Sequence, residues 1–178
     1  MADANLVRHT PYAARRALDV LAEPASAATR QMFTGWLEPL LASGPYRRAL
    51  LLDAQLNVRL VHPRRAAGGL CEAERGPAEE ALRTREVVVA DLHRQSEQGP
   101  VHLSFMVPLV VRREGTNDNV PAAGLPASPA DRSAGVLVLQ CDARDFLFPE
   151  IQSWPLPSRS AESLLGRREG DAVAFLNE

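Results

Sequence analysis

At Ser43-Gly44-Pro45 the apolar residues of this chain change their period, and that switch constrains the fold more than any other feature. Before it, Tyr12, Ala13, Ala17, Leu18 and Leu21 recur at helical spacing, with Arg15, Arg16 and Asp19 on the other face. Met32, Phe33, Trp36, Leu37, Leu40 and Leu41 make a second helical stripe. Pro24 cannot donate to the preceding turn and kinks or breaks the first helix, Ser26 can cap the second, and Gly44-Pro45 stops it. After the switch, strand patterns dominate. Tyr46–Asp53 and Asn57–His62 flank a short hairpin loop, Ala54-Gln55-Leu56. Residues 63–76 read as loop and Pro77–Arg85 as a short helix with proline in its first turn. Glu86–His93 and Val101–Arg113 read as strands, the second bent by Pro108 or placed by it at an edge.

The stretch Glu114–Ser133 has no aromatic residue and too little apolar surface to order itself, so it reads as an extended, mobile hairpin connection. Ala134–Cys141 returns as a strand, and Asp142–Trp154 as a helix with Asp142 as N-cap, ended by Pro155 and Pro157. Ser163–Leu165 and Ala172–Leu176 bracket the polar turn Arg167–Asp171 as a last hairpin. That hairpin closes on an apolar strand with nothing after it, as expected for a piece of a longer protein. The order of elements predicts an α+β fold, with a five-stranded antiparallel sheet and a long N-terminal helix packed on one face.

Composition removes several classes of function. With 178 residues and 46% apolar content the chain can bury a core, and its net charge of −2 does not suit nucleic acid, which needs a basic stripe. Its longest stretch without a charged side chain, Gln98–Val111, has 14 residues, short of the roughly 20 that cross a bilayer. Nor does Met1–Arg16 contain the apolar run of a signal peptide. Cys71 and Cys141 fit no metal-ligand spacing and read either as one bridge or as two buried thiols. No G-x-S-x-G elbow, catalytic cysteine signature or phosphate-cradling loop is present, so no catalytic residue, metal or cofactor is expected.

Strand alternation places candidate binding residues. A period of two sets Val87, Val89, Asp91 and His93 opposite Val88, Ala90 and Leu92. It likewise sets His102, Ser104 and Met106 opposite Leu103, Phe105 and Val107, and Val136, Val138 and Gln140 opposite Leu137, Leu139 and Cys141. Each strand thus has one apolar row for a helix layer and one row with polar groups. An Asp91-His93-Ser104 triad is disfavoured, because strand residues two apart point the same way and do not orient one another.

Three stretches carry a family resemblance: HLSFMVPLVV (102–111), AGVLVLQCDARDFLFP (134–149) and IQSWPLPSRSAESLLGRREGDAVAFLNE (151–178). With their V-P-L strand end, G-V-L-x-L strand, W-P-x-P-S and R-x-x-G-D, they resemble the extracytoplasmic PAS-like (Cache, or PDC) sensor region of bacterial membrane-bound histidine kinases and diguanylate cyclases. The resemblance covers 86–178 by motif and 1–85 by element order only.

It implies a helical segment at 1–45, a PAS-like sensor domain at 46–155, and at 156–178 the start of a second, truncated module or a C-terminal hairpin. It also implies a periplasmic, non-enzymatic signal-input domain of a membrane-anchored two-component or cyclase receptor, dimeric through its N-terminal helices. The alternative is a cytoplasmic GAF- or PAS-type regulatory module. In PAS-like folds the polar side of the sheet faces a cavity roofed by the loop and helix before the third strand. His62, Arg64, Arg65 and Arg85 fall on that roof, and Asp91, His93, His102 and Ser104 in the polar row. A small anion, such as a carboxylate, between them is the expected ligand, since arginine suits planar oxyanions. The plainer alternative is that Asp91, His93 and the arginines are solvated surface.

Overall fold

The computed structural model describes residues 11–64, 69–95, 99–111, 132–153, 165–169 and 171–175. Two helices lead: α1 (Pro11–Ala22) and α2 (Ala27–Ser43). The break falls where Pro24 predicts it, and Ser26 caps α2 by accepting from the Thr29 N–H at 3.4 Å. The helical segment is therefore two helices of 12 and 17 residues rather than one long one. Strands β1 (Tyr46–Asp53) and β2 (Val58–His62) follow, then α3 (Glu72–Thr84), β3 (Val88–Arg94), β4 (Val101–Val111), β5 (Arg132–Asp142) and α4 (Ala143–Ser153). A separate hairpin joins β6 (Gly166–Glu169) to β7 (Ala172–Phe175). Its register pairs Glu169 with Ala172, so the arginines expected in the turn belong to β6. The 114–133 connection lies almost wholly outside the described residues, as do Trp154 and Arg65.

The five long strands form one antiparallel open sheet in the order β2-β1-β5-β4-β3. Pro108 pairs with Val136 of β5 but lies beyond the end of β3, whose first residue, Val88, is opposite Met106. Losing a ladder donor there is tolerable because no β3 residue stands opposite.

Both faces of the sheet are covered. On one, Ala17 and Val20 of α1 and Phe33 and Leu37 of α2 pack on Leu51, Phe105, Val107, Leu137 and Leu139. Trp36 stacks on Phe33 at the margin of this core, with ring centroids 5.9 Å apart. On the other, α3 lies directly on the sheet, where Ala78 and Ala81 meet Leu50, Leu52, Ala90, Met106, Val136 and Val138. The sequence reading expects a hollow second face; instead α3 fills it with side chains. The two cysteines are free and on opposite faces, Cys141 in the α1–α2 core and Cys71 at the start of α3. Among the described residues no helix is long and apolar enough to cross a membrane.

Bulges tune which residues face α3. One extra residue in β1, Arg47, lets Tyr46 join the α1–α2 core while Arg48 turns under α3 opposite Gln140. In β3, Asp91 and Leu92 together oppose Leu103, so the alternation breaks between Ala90 and His93. Hence Val88 and Ala90 face α3, Leu92 packs with Val101 and Ala143, and His93 returns to the α3 side. Asp91, expected beside His93, is exposed.

Candidate functional site

The site begins with the local chemistry that starts α3. Cys71 occupies the N-cap in an extended conformation, and the Glu74 carboxylate three residues on reaches back, Oε2 accepting the Cys71 N–H at 3.1 Å. The helix therefore starts at Glu72 rather than at Pro77, which sits inside it. Glu74, Ala78 and Ala81 line one face at helical spacing, and all three are fully buried. The two alanines let the helix approach the sheet closely, and Glu74 is driven among the polar residues of β3, β4 and β5.

There Glu74 Oε1 accepts from Ser104 Oγ at 2.7 Å and from Gln140 Nε2 at 2.6 Å. Ser104 and Gln140 stand opposite one another across β4 and β5, so one carboxylate oxygen spans both strands. Gln140 turns its Oε1 toward Arg48 Nη1 at 3.4 Å, and the same Arg48 nitrogen donates to Gln95 Oε1 at 3.1 Å. Gln95 in turn donates to the Gly69 carbonyl at 2.8 Å, tying the approach to α3 back to the end of β3. His93, only 3% exposed, places Nε2 3.5 Å from Glu74 Oε1. Its Nδ1 lies 2.8 Å from the Asp91 carbonyl oxygen, an atom that only accepts, so Nδ1 carries a proton. The His102 ring is 6.3 Å from that of His93.

Burial alone would raise the Glu74 carboxyl. Hydrogen bonds from His93, Gln140, the Cys71 N–H and Ser104 outweigh it and bring the pKa down to about 2. Glu74 is thus an anion at neutral pH. Burial lowers Arg48, with the Glu74 charge opposing it, and burial together with the Glu74 charge raises the Cys71 thiol. His102 is lowered by burial and by the charge of His93, against the pull of Asp142 and Glu74.

Of the residues expected in the site, His93 and Ser104 meet at Glu74, with His102 beside them. Asp91 contributes only its main-chain carbonyl. His62 ends β2 at the opposite edge of the sheet and Arg64 lies just past it, where Arg64 helps line an open depression of about 240 Å³ with Arg30, Arg59 and Leu60. Arg85 is at the far end of α3, as its left-handed C-cap. Asp91, His93 and Ser104 form no triad, since the serine hydroxyl donates to Glu74 and the aspartate side chain faces outward. Sequence reasoning missed Glu74 and Arg48 and named Cys71 only as a buried thiol or one end of a bridge. The available signal was Glu74 three residues after Cys71, in step with Ala78 and Ala81.

Two chemistries are open to this arrangement. The donors of Ser104 and Gln140 form a carboxylate-binding pair whose occupant is the chain's own Glu74, with the Arg48 charge behind Gln140. The thiol of Cys71, the carboxylate of Glu74 and a ring nitrogen of His93 all lie within 4.8 Å of one another, a donor set able to hold a metal ion. In comparisons with known proteins, no protein family, curated protein or solved structure matches the chain.

Proposed function

We propose that this chain is the PAS-like signal-input domain of a membrane-bound bacterial receptor, a histidine kinase or diguanylate cyclase, and that its input acts at the seam between α3 and the sheet. The observation that carries the reading is the buried carboxylate of Glu74, held by Ser104 and Gln140. Buried charged networks are poor sources of net stability. A helix docked through one, with only Ala78, Ala81 and the half-buried Leu82 adding apolar contact, is poised to move when its polar partners are engaged by something else. A small ligand carboxylate presents the same group to the same donors and displaces Glu74. Motion of α3 then passes through β3–β5 to the helices on the other face. The two leading helices, the sheet and the helical excursion between β2 and β3 follow the element order that the family resemblance implies. The extracytoplasmic location and the dimer through the N-terminal helices belong to the same proposal.

Thermal-shift and amide-exchange measurements with small mono- and dicarboxylates, in the presence of a metal chelator, test it. The expected result is a saturable shift with altered exchange in α3, and stronger acetate binding in Glu74→Ala. Absence of any carboxylate effect in both proteins, or ester or phosphoester turnover lost in Glu74→Gln, overturns the reading.

A further inference from the structure

We infer that Cys71, Glu74 and His93 form a binding site for a divalent transition-metal ion, zinc being the best match. The inference stands apart from the sensor reading and rests on geometry. Nδ1 of His93 donates to the Asp91 carbonyl, so a neutral ring directs its Nε2 lone pair toward Glu74 Oε1, 3.5 Å away. Either of two cations can stand between them, the ring proton that helps hold Glu74 ionised in the metal-free chain or a metal ion. The separation fits the second: nitrogen and oxygen ligands each about 2.0–2.1 Å from a tetrahedral zinc lie about 3.4 Å apart. A charge-assisted N–H···O bond would instead close to about 2.7–2.9 Å. The Cys71 sulfur lies within 4.8 Å of a His93 ring nitrogen and of a Glu74 carboxylate oxygen, and drawing it to a zinc–thiolate distance of about 2.3 Å takes a side-chain movement of about an ångström.

The supporting shell is in place as well. Metal-bound histidines usually donate their other ring N–H to a carbonyl or carboxylate, and ligating carboxylates are themselves hydrogen-bonded. Here the β3 bulge takes Asp91 out of the ladder and offers its carbonyl to His93, while Ser104 and Gln140 fix the Glu74 carboxylate. The donor set of one sulfur, one nitrogen and one oxygen excludes magnesium and calcium, which take oxygen ligands, and suits borderline-soft zinc. Glu74 is already ionised, so binding releases the Cys71 thiol proton, and any proton on His93 Nε2, to solvent. The ion's two positive charges are then balanced by thiolate and carboxylate. Three protein ligands leave a fourth tetrahedral position for water or an added donor.

Chelator-treated protein titrated with Zn²⁺ against a chromophoric competitor, and with Co²⁺ as a spectroscopic probe, tests this. The expected result is one equivalent bound, with a thiolate-to-cobalt charge-transfer band and intense four-coordinate ligand-field bands. Cys71→Ser abolishes the charge-transfer band, Ser104→Ala weakens zinc affinity about 10-fold through the supporting shell, and Cys141→Ala, on the opposite face, changes neither. A pale six-coordinate cobalt spectrum with no thiolate band in the unmodified chain overturns the inference without recourse to any variant. Zinc binding that persists unweakened in Cys71→Ser/His93→Gln overturns it too.

Discussion

Replacing Glu74 perturbs the centre of the account, and the cost can be worked from its partners. In Glu74→Ala the hydroxyl of Ser104, the amide of Gln140 and the N–H of Cys71 all lose their acceptor, in a site where Ser104 is fully buried and Gln140 1% exposed. Each buried donor left without a partner costs about 1–3 kcal/mol. The three are not independent, and removing one member of a buried charged network costs about 3–5 kcal/mol in all. Glu74→Gln keeps the shape and one accepting oxygen, but its NH₂ must meet either the Cys71 N–H or the Ser104–Gln140 pair, donor against donor, for about 2 kcal/mol. Ser104→Ala deletes one hydrogen bond and costs about 1 kcal/mol. Urea unfolding followed by circular dichroism reads all three, and the Glu74→Gln melting temperature should fall by about 4–8 °C, at 2–4 °C per kcal/mol for a chain of this size. A Glu74→Ala/Ser104→Ala cycle should show coupling, because the serine hydroxyl has nothing to donate to once the carboxylate is gone. Glu74→Gln within about 0.5 kcal/mol of the parent, at unchanged denaturant slope, would refute the reasoning.

Three further outcomes follow from other parts of the fold. A Cβ on Gly135 would sit 2.1 Å from the Leu52 carbonyl oxygen, so Gly135→Ala must part β1 from β5 and should cost about 3 kcal/mol or more in the same urea assay. Asp53 accepts from the Gln55 and Asn57 N–H groups at 2.9 Å each and from Arg59 Nη2 at 2.7 Å, so Asp53→Ala should lose about 2 kcal/mol by loosening the β1–β2 turn. The folded protein holds His102 at a lowered pKa, so the unfolded chain binds more protons as pH falls through the ordinary histidine range near 6.5. Stability should therefore decrease with acidification below that pH, and stability measured across the range should show a shallower slope in His102→Gln.

Much of the scaffold was legible because it depends on local chemistry. Ser26 caps α2, β1 occupies Tyr46–Asp53 as its apolar run predicts, and β4 and β5 keep a period of two over His102–Leu109 and Gly135–Asp142, which puts Ser104 and Gln140 on one face. What escaped depends on departures from period. The extra residue in β3 is invisible to alternation, which places Val88 and Ala90 in the apolar row for the helix layer and Asp91 in the polar row, whereas Val88 and Ala90 face α3. The bulge at Arg47 likewise hid Arg48, because two adjacent arginines at a strand start look like solvated surface. Gly76-Pro77 looks like a helix boundary, so the sequence reads 71–76 as loop and does not signal the burial of Glu74. Its burial follows from tertiary packing, in which Ala78 and Ala81 bring the helix down onto Ser104 and Gln140. Binding residues sought near Arg64 and Arg85 were displaced for a related reason, since element order says nothing of which end of a helix meets which strand.

At the seam between α3 and the sheet, an ionised carboxylate is pinned between β3, β4 and β5. A pH titration of the Glu74 side-chain carboxyl carbon by nuclear magnetic resonance measures that state at the atom concerned. The expected midpoint lies near pH 2, with the Gln140 side-chain amide shifting in step. A midpoint in the ordinary glutamate range, about 4.3, with an unresponsive Gln140 amide, would contradict it.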